Sequence, residues 1–373
     1  MSKGVAVNSI SLSGNERKYL NECIDTGWIS SEGPFISRFE NEFASYVDRS
    51  FGIAVSNGSA ALDIAVIAMG IQPGDEVIMP AFTIISPALS VIKAGATPVL
   101  VDSNPVTWNM NVDEVEQKIT SKTKAIIVVH IYGLPVDMVP ILHLAKKYQL
   151  KIIEDAAEMH GQTYRDKKCG SFGDISTFSF YPNKLITTGE GGMILCDEQG
   201  VANHCKKLRN LAFEPEGPRF IHNELGFNYR MTNMQAAIGV AQLEQIELAI
   251  QRKREIGLYY TEQLSFLSEN GYRLSLQRTD FSSNIYWVFG LVCPSENEKQ
   301  RLSGHLNTHN IGHRPFFWSM HLQPIFNKMR LFTGEKYPTA ENLSRCGLYL
   351  PSGVGTSDAE LEFVCKTIKK LYE

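Results

Sequence analysis

From about residue 52 the chain alternates short apolar runs with longer stretches whose apolar positions recur at helical spacing. The apolar runs predict strands over 52–56, 76–80, 97–102, 124–131, 150–155, 175–180 and 191–196. Stretches such as 59–69 and 137–148 predict helices between them. This alternation predicts an α/β fold with a mostly parallel sheet, and in such sheets functional residues gather beyond the strand ends. Ahead of the sheet, the spacing predicts a helix over 14–26 closed by Gly27, and a second over 35–46 with Phe35, Phe39, Phe43 and Tyr46 on its core face. Behind it come a helix, a polar insertion at 214–218, an apolar helix from Met234 and a long helix over 252–267. The pattern predicts a large domain over 1–250 and a smaller α+β domain over 251–373. The smaller one would hold a strand over 286–293, a helix near 296–309 and a C-terminal helix from Asp358.

Composition narrows this picture. With 373 residues, 43% of them hydrophobic, the chain can bury a large core. A net charge of −4 gives no general attraction to nucleic acid or to an anionic membrane, so a phosphate-bearing ligand has to be held by local donors. The seven cysteines are odd in number and lack CxxC spacing, which predicts reduced thiols rather than a disulfide frame or a zinc site. No metal site is expected. The first residues hold no apolar stretch of signal-peptide length and no run approaches membrane-spanning length, which leaves the cytoplasm as the expected location.

Candidate chemistry enters at three strand ends. The predicted strand 175–180 is followed by Tyr181-Pro182-Asn183-Lys184 and then by the glycine-rich Thr187-Thr188-Gly189-Glu190-Gly191-Gly192. A lone lysine kept near packed apolar residues loses part of its preference for the charged form, and its amine becomes a nucleophile for a carbonyl. The predicted strand 150–155 ends in Asp155, 29 residues before Lys184. At Val55-Ser56-Asn57-Gly58-Ser59 a strand turns through small residues into an alanine-rich helix, whose first N–H groups suit an anion. A lysine, a carboxylate and a phosphate cradle are the parts that pyridoxal phosphate requires. The absence of GxGxxG leaves a dinucleotide-binding reading without support.

The segments SNGSAAL, IIEDAAE, GDISTFSFYPNK, TTGEGG and LGFNYRMTNMQAAIG occur in this order and at spacings that resemble the DegT/DnrJ/EryC1/StrS family of sugar aminotransferases. TGWISSEGPFISRFE and RPFFWSMHLQP are similar to the branch of that family that makes GDP-perosamine. The resemblance implies a fold-type-I aminotransferase with pyridoxal 5'-phosphate, working as a homodimer with shared active sites. Its substrates would be glutamate and a nucleotide-linked 4-keto-6-deoxy sugar, with a product destined for surface polysaccharide. Lys184 would join the cofactor and later move the proton. Asp155 would pair with the ring nitrogen and Glu158 would lie near the ring hydroxyl, although a solvated acid is the plainer reading of Glu158. Gly58, Ser59 and Ser179 would hold the phosphate, and Asn228 would reach the phosphate of the neighbouring subunit. Arg230 would take the carboxylate of the amino donor or else make a structural ion pair. Arg314, Phe317 and His321 would face the substrate or else pack in a domain interface.

The sequence departs from the family at Ile84, where an aromatic side chain usually stacks on the cofactor ring. An aliphatic group packs on a ring face without the stacking preference, and Phe82 is the neighbouring aromatic that would compensate. His130, at a strand end, reads as a structural donor. Three alternatives stand beside the main reading: another nucleotide keto-sugar or a small keto-phosphate as substrate, a non-catalytic relative that keeps the cofactor fold, and the dehydratase branch. The last carries histidine where this chain has Lys184, which favours transamination.

Overall fold

A computed structural model describes residues 4–214, 217–218 and 220–373. All seven predicted strands join one sheet: β1 (Phe51–Val55), β2 (Glu76–Pro80), β3 (Thr97–Val101), β4 (Thr123–Val129), β5 (Lys151–Asp155), β6 (Ile175–Ser179) and β7 (Gly192–Cys196). Their spatial order is β1-β7-β6-β5-β4-β2-β3. The β2–β3, β2–β4, β4–β5 and β5–β6 pairs are parallel, and only β7 runs against its neighbours β1 and β6.

Strand residues alternate between two apolar layers. Ile126 and Val128 of β4 enter one core with Ala54 of β1, whereas Ala125, Ile127 and Val129 enter the other with Ile53 and Val55. Both faces are therefore covered by helices, and this explains why the strands read as unbroken apolar runs. The first layer is covered by α2 (Pro34–Tyr46), α5 (Met138–Tyr148) and α7 (Asn233–Leu243), with Phe39 and Phe43 fully buried. The second is covered by α3 (Gly58–Ala68), α4 (Ser86–Lys93) and α6 (Gln199–Arg209). Ahead of α2, α1 (Glu16–Thr26) ends at Gly27 with φ of 74°, the left-handed C-cap that glycine takes at little cost.

The long helix begins earlier than its sequence pattern suggests. As α8 it runs Ile246–Gln263, so position 250 falls inside a continuous helix. Its first turns (Ile246, Ala249, Ile250) pack in the sheet core, and its later turns (Ile256, Tyr260) pack in a third core around the C-terminal sheet. That sheet is antiparallel, with β8 (Arg273–Leu274), β9 (Phe289–Val292), β10 (Arg314–Pro315) and β11 (Gly347–Leu350) in the order β8-β9-β11-β10. It is flanked by α9 (Glu296–Thr308), α10 (Pro338–Cys346) and α11 (Asp358–Lys369). The strand expected from Tyr286 starts only at Phe289 because Tyr286 takes φ of 53°, a left-handed conformation that breaks extended pairing. Within the polar insertion at 214–218, Pro215 and Glu216 lie outside the described residues.

Candidate active site

Three strand ends converge on a cavity of about 610 Å³. At the end of β1, Asn57 caps α3: its side-chain oxygen accepts the Ala60 N–H at 2.8 Å and its backbone carbonyl accepts the Ala61 N–H at 3.1 Å. The Gly58 and Ser59 N–H groups come before the first internal bond of the helix and are left for an outside acceptor. The Ser59 hydroxyl lies 2.8 Å from that of Ser86, the first residue of α4. Ser179, the last residue of β6, comes so close that a Cβ added at Gly58 would stand 2.9 Å from the Ser179 Cβ. Gly58, Ser59, Ser86 and Ser179 thus form one polar pocket end.

Asp155, the last residue of β5, is 3% exposed and accepts the Ala157 N–H at 3.2 Å. Glu158 follows in the turn beyond and accepts the Tyr132 N–H at 2.7 Å. Lys184 reaches toward both from the loop after β6. Its Nζ lies 3.9 Å from the Glu158 carboxylate and 4.0 Å from the centre of the Trp287 ring. Burial pulls the Lys184 amine below the usual lysine range, and the Glu158 and Asp155 carboxylates oppose that. The same burial pushes the Asp155 and Glu158 carboxyls up, with Lys184 opposing in both cases. An amine that gives up its proton readily, beside carboxyls that take one up readily, is suited to carbonyl chemistry with proton transfer.

Two side chains test whether the cavity fits pyridoxal phosphate. The Thr83 and Thr177 hydroxyls are buried on its wall, and neither oxygen has a hydrogen-bond partner among the described residues. Buried polar groups are ordinarily paired, so both await a polar ligand. Together with the Gly58–Ser179 approach, the free helix-start donors, the acid and the lysine, they match a phosphorylated, hydrogen-bonding aromatic aldehyde.

Other residues singled out from sequence are spread more widely. Ile84, 46% exposed, and Phe317 line the cavity. Phe82 does not: it is fully buried against Tyr132, Phe316 and Phe317 and supplies no compensating ring. Arg314 lines an adjoining cavity of about 280 Å³ that shares Tyr181, Asn183 and Trp287 with the main one. Asn228 is exposed in a segment that pairs with the end of β1 and with Asn210, outside the Lys184 cavity of its own chain. Arg230 donates to the Asn210 side chain at 2.6 Å and lines a separate cavity with Lys206, Lys207 and Arg209. His321 lies apart from the cavity. Its ring is 4% exposed, lies 3.1 Å from the Glu341 carboxylate and packs on Tyr337, because α10 covers the turn that carries it. It does not line the Lys184 cavity.

His130 is fully buried, its Nδ1 accepts the Val136 N–H, and its Nε2 therefore donates to Glu154 at 3.0 Å. Trp287, Tyr181 and Asn183 also line the cavity, and sequence reasoning passed over all three. Thr177 stood inside a recognised motif and Thr83 beside Ile84, and only their burial singles them out. Among the described residues no group of three or more His, Cys, Asp or Glu side chains is placed to hold a metal, and no helix is long and apolar enough to cross a membrane. The seven cysteines are free and buried.

Comparison with known proteins places this cavity in context. The profile of the DegT/DnrJ/EryC1/StrS aminotransferase family matches residues 11–369. The chain is 42% identical to a GDP-perosamine synthase of Escherichia coli O157:H7, covering 99% of both chains. It is 39% identical to one of Vibrio cholerae, again covering 99% of both. It superimposes on NtdA of Bacillus subtilis, solved with bound cofactor PMP, with a TM-score of 0.88 at 29% identity, covering 96% of this chain and 81% of that one. A match of this extent, over a cavity whose donors fit the cofactor, establishes that the chain belongs to the DegT/DnrJ/EryC1/StrS aminotransferase family and is a pyridoxal-phosphate enzyme.

Proposed function

We propose that the chain moves the amino group of glutamate to GDP-4-keto-6-deoxy-mannose, giving GDP-perosamine for surface polysaccharide, in the cytoplasm. The observation that carries this reading is the end-to-end identity of about two residues in five with GDP-perosamine synthases, with lysine rather than histidine at 184. When bound, pyridoxal phosphate supplies an electron sink that eases loss of a proton from the carbon bearing the amine. The Gly58 and Ser59 N–H groups and the Ser179 hydroxyl would hold its phosphate. Asp155 would keep the ring nitrogen protonated, Glu158 would serve the ring hydroxyl, and Ile84 would pack on the ring face. Lys184 Nζ would hold the cofactor's carbonyl carbon and would carry the proton between donor and acceptor carbons.

Arg230, outside the Lys184 cavity of its own chain, would take the glutamate carboxylate at the site of a second subunit, and Arg314 and Phe317 the sugar nucleotide. Asn228 serves the phosphate of a second subunit, so the working unit is a homodimer with shared sites. Its exposure, in a loop with exposed Ile221 and Leu225, supports that arrangement.

The test is a half-reaction. Protein charged with pyridoxamine phosphate is mixed with a panel of keto-sugars while the absorbance of the aldehyde form is followed. Return of that absorbance with GDP-4-keto-6-deoxy-mannose alone is expected. Return only with another nucleotide sugar or a small keto-phosphate would keep the chemistry and replace the substrate.

A further inference from the structure

Trp287 lies where the loop carrying Lys184 meets the C-terminal half of the chain, and three contacts fix it there. Its ring centre is 4.0 Å from the Lys184 Nζ. Its Nε1–H donates at 2.8 Å to the carbonyl of Asn183, the residue before the lysine. Its own carbonyl accepts from the Lys253 Nζ at 2.7 Å. The indole is 4% exposed and stacks with Tyr132 at 5.8 Å and 30°, and Tyr132 in turn gives its N–H to Glu158. The ring thus touches both the reacting amine and the backbone that carries it.

Lys253 is unusual in its own right. It is 3% exposed on α8 and donates to the Trp287 and Ser352 carbonyls, and among the described residues no carboxylate is paired with it. Burying an amine without a counter-charge is costly, yet a neutral amine has two N–H donors for those two acceptors. Lys253 therefore works as a strut between α8 and the two backbone segments that frame the indole.

We propose that Trp287 is the positioning residue for Lys184, and that Lys253 holds Trp287 in place for that task. The inference rests on Lys184 being the reacting lysine. An ammonium over an indole face is stabilised where water is excluded, so Trp287 works against burial and keeps Lys184 able to take up a proton as well as release one. The charged groups facing Lys184 are Glu158 and Asp155. His160, also close, stays neutral because burial and then Lys184 pull it down to about 3. With those carboxylates unchanged, a change at the indole reads out at the lysine.

The experiment uses full-length protein charged with pyridoxamine phosphate, in which the lysine is free. Trace acetylation with acetic anhydride across a pH series, followed by peptide mass spectrometry, gives the titration midpoint of Lys184. Trp287→Leu is expected to lower that midpoint by about one pH unit. It should also reduce kcat about tenfold with little change in the KM for the amino donor. Trp287→Phe keeps a ring face but loses the bond to Asn183, and should shift both in the same direction by less. Lys253→Met should reproduce part of the kcat loss. An unmoved Lys184 midpoint in both Trp287 variants would overturn the proposal and leave Trp287 as packing. Full activity in Lys184→Ala would instead defeat the reading on which it rests.

Discussion

Lys184 has a carboxylate on one side and an indole on the other, and the two act in the same sense: both favour its charged form against burial. Burial loosens the amine's hold on its proton and these neighbours strengthen it, opposing effects that suit a group meant both to take up and to release a proton. Lys184→Ala should therefore remove turnover by at least about a thousandfold while far-ultraviolet circular dichroism stays unchanged. Retained activity would assign the chemistry to another residue. Lys184 and Asp155 stood out in the sequence because each follows an apolar run that reads as a strand, and strand ends in such sheets face the ligand, whereas Glu158 was pointed to only by the family resemblance. Trp287 was not legible. Its place depends on Tyr286 leaving extended geometry and on a bond to Asn183, 104 positions away in the chain. His321 is the converse case: its motif resembles a ligand contact, and in the fold α10 covers it and Glu341 pairs with it.

At the scale of elements, the cradle at the start of α3 shows how local preference and site geometry compete. In an exposed helix an alanine in place of glycine gains about 1 kcal/mol of helix propensity. At Gly58 the added carbon would meet the Ser179 Cβ at 2.9 Å, closer than ordinary packing tolerates, so β6 and α3 would have to move apart. Gly58→Ala should leave the thermal midpoint within a few degrees while weakening cofactor affinity about tenfold, measured by titrating the apoprotein with pyridoxal phosphate and following absorbance. Unchanged affinity would mean that the loop adjusts without disturbing the donors. The strands of the large sheet were read to within about two residues because burial on both faces makes them continuously apolar. The start of α8 was missed because its first turns share the apolar character of α7 just before it, and β8 and β10, two residues each, are too short to leave a pattern.

For the molecule as a whole, α8 is the element that joins the sheet core to the C-terminal core, and Lys253 lies at the crossing. Burial alone pulls the Lys253 amine down to about 7. In the unfolded chain the same group titrates near about 10.4. Below about pH 7 both states carry the proton, and the folded state bears the full cost of a buried charge. Between about 7 and about 10.4 the unfolded chain binds the proton and the folded chain does not, so unfolding takes up a proton and stability rises with pH across that window. The slope is at most about 1.4 kcal/mol per pH unit, and it is superimposed on the titration of every other group. Comparison with Lys253→Met isolates it, since methionine has similar length and no charge. Urea unfolding of both proteins at pH 6.5 and pH 9 should show the wild type gaining on the variant as pH rises, by about 2–3 kcal/mol across that interval. A stability difference that does not change with pH would mean that the two carbonyls hold Lys253 fully protonated. The strut between the halves of the molecule would then be an ammonium rather than a neutral amine.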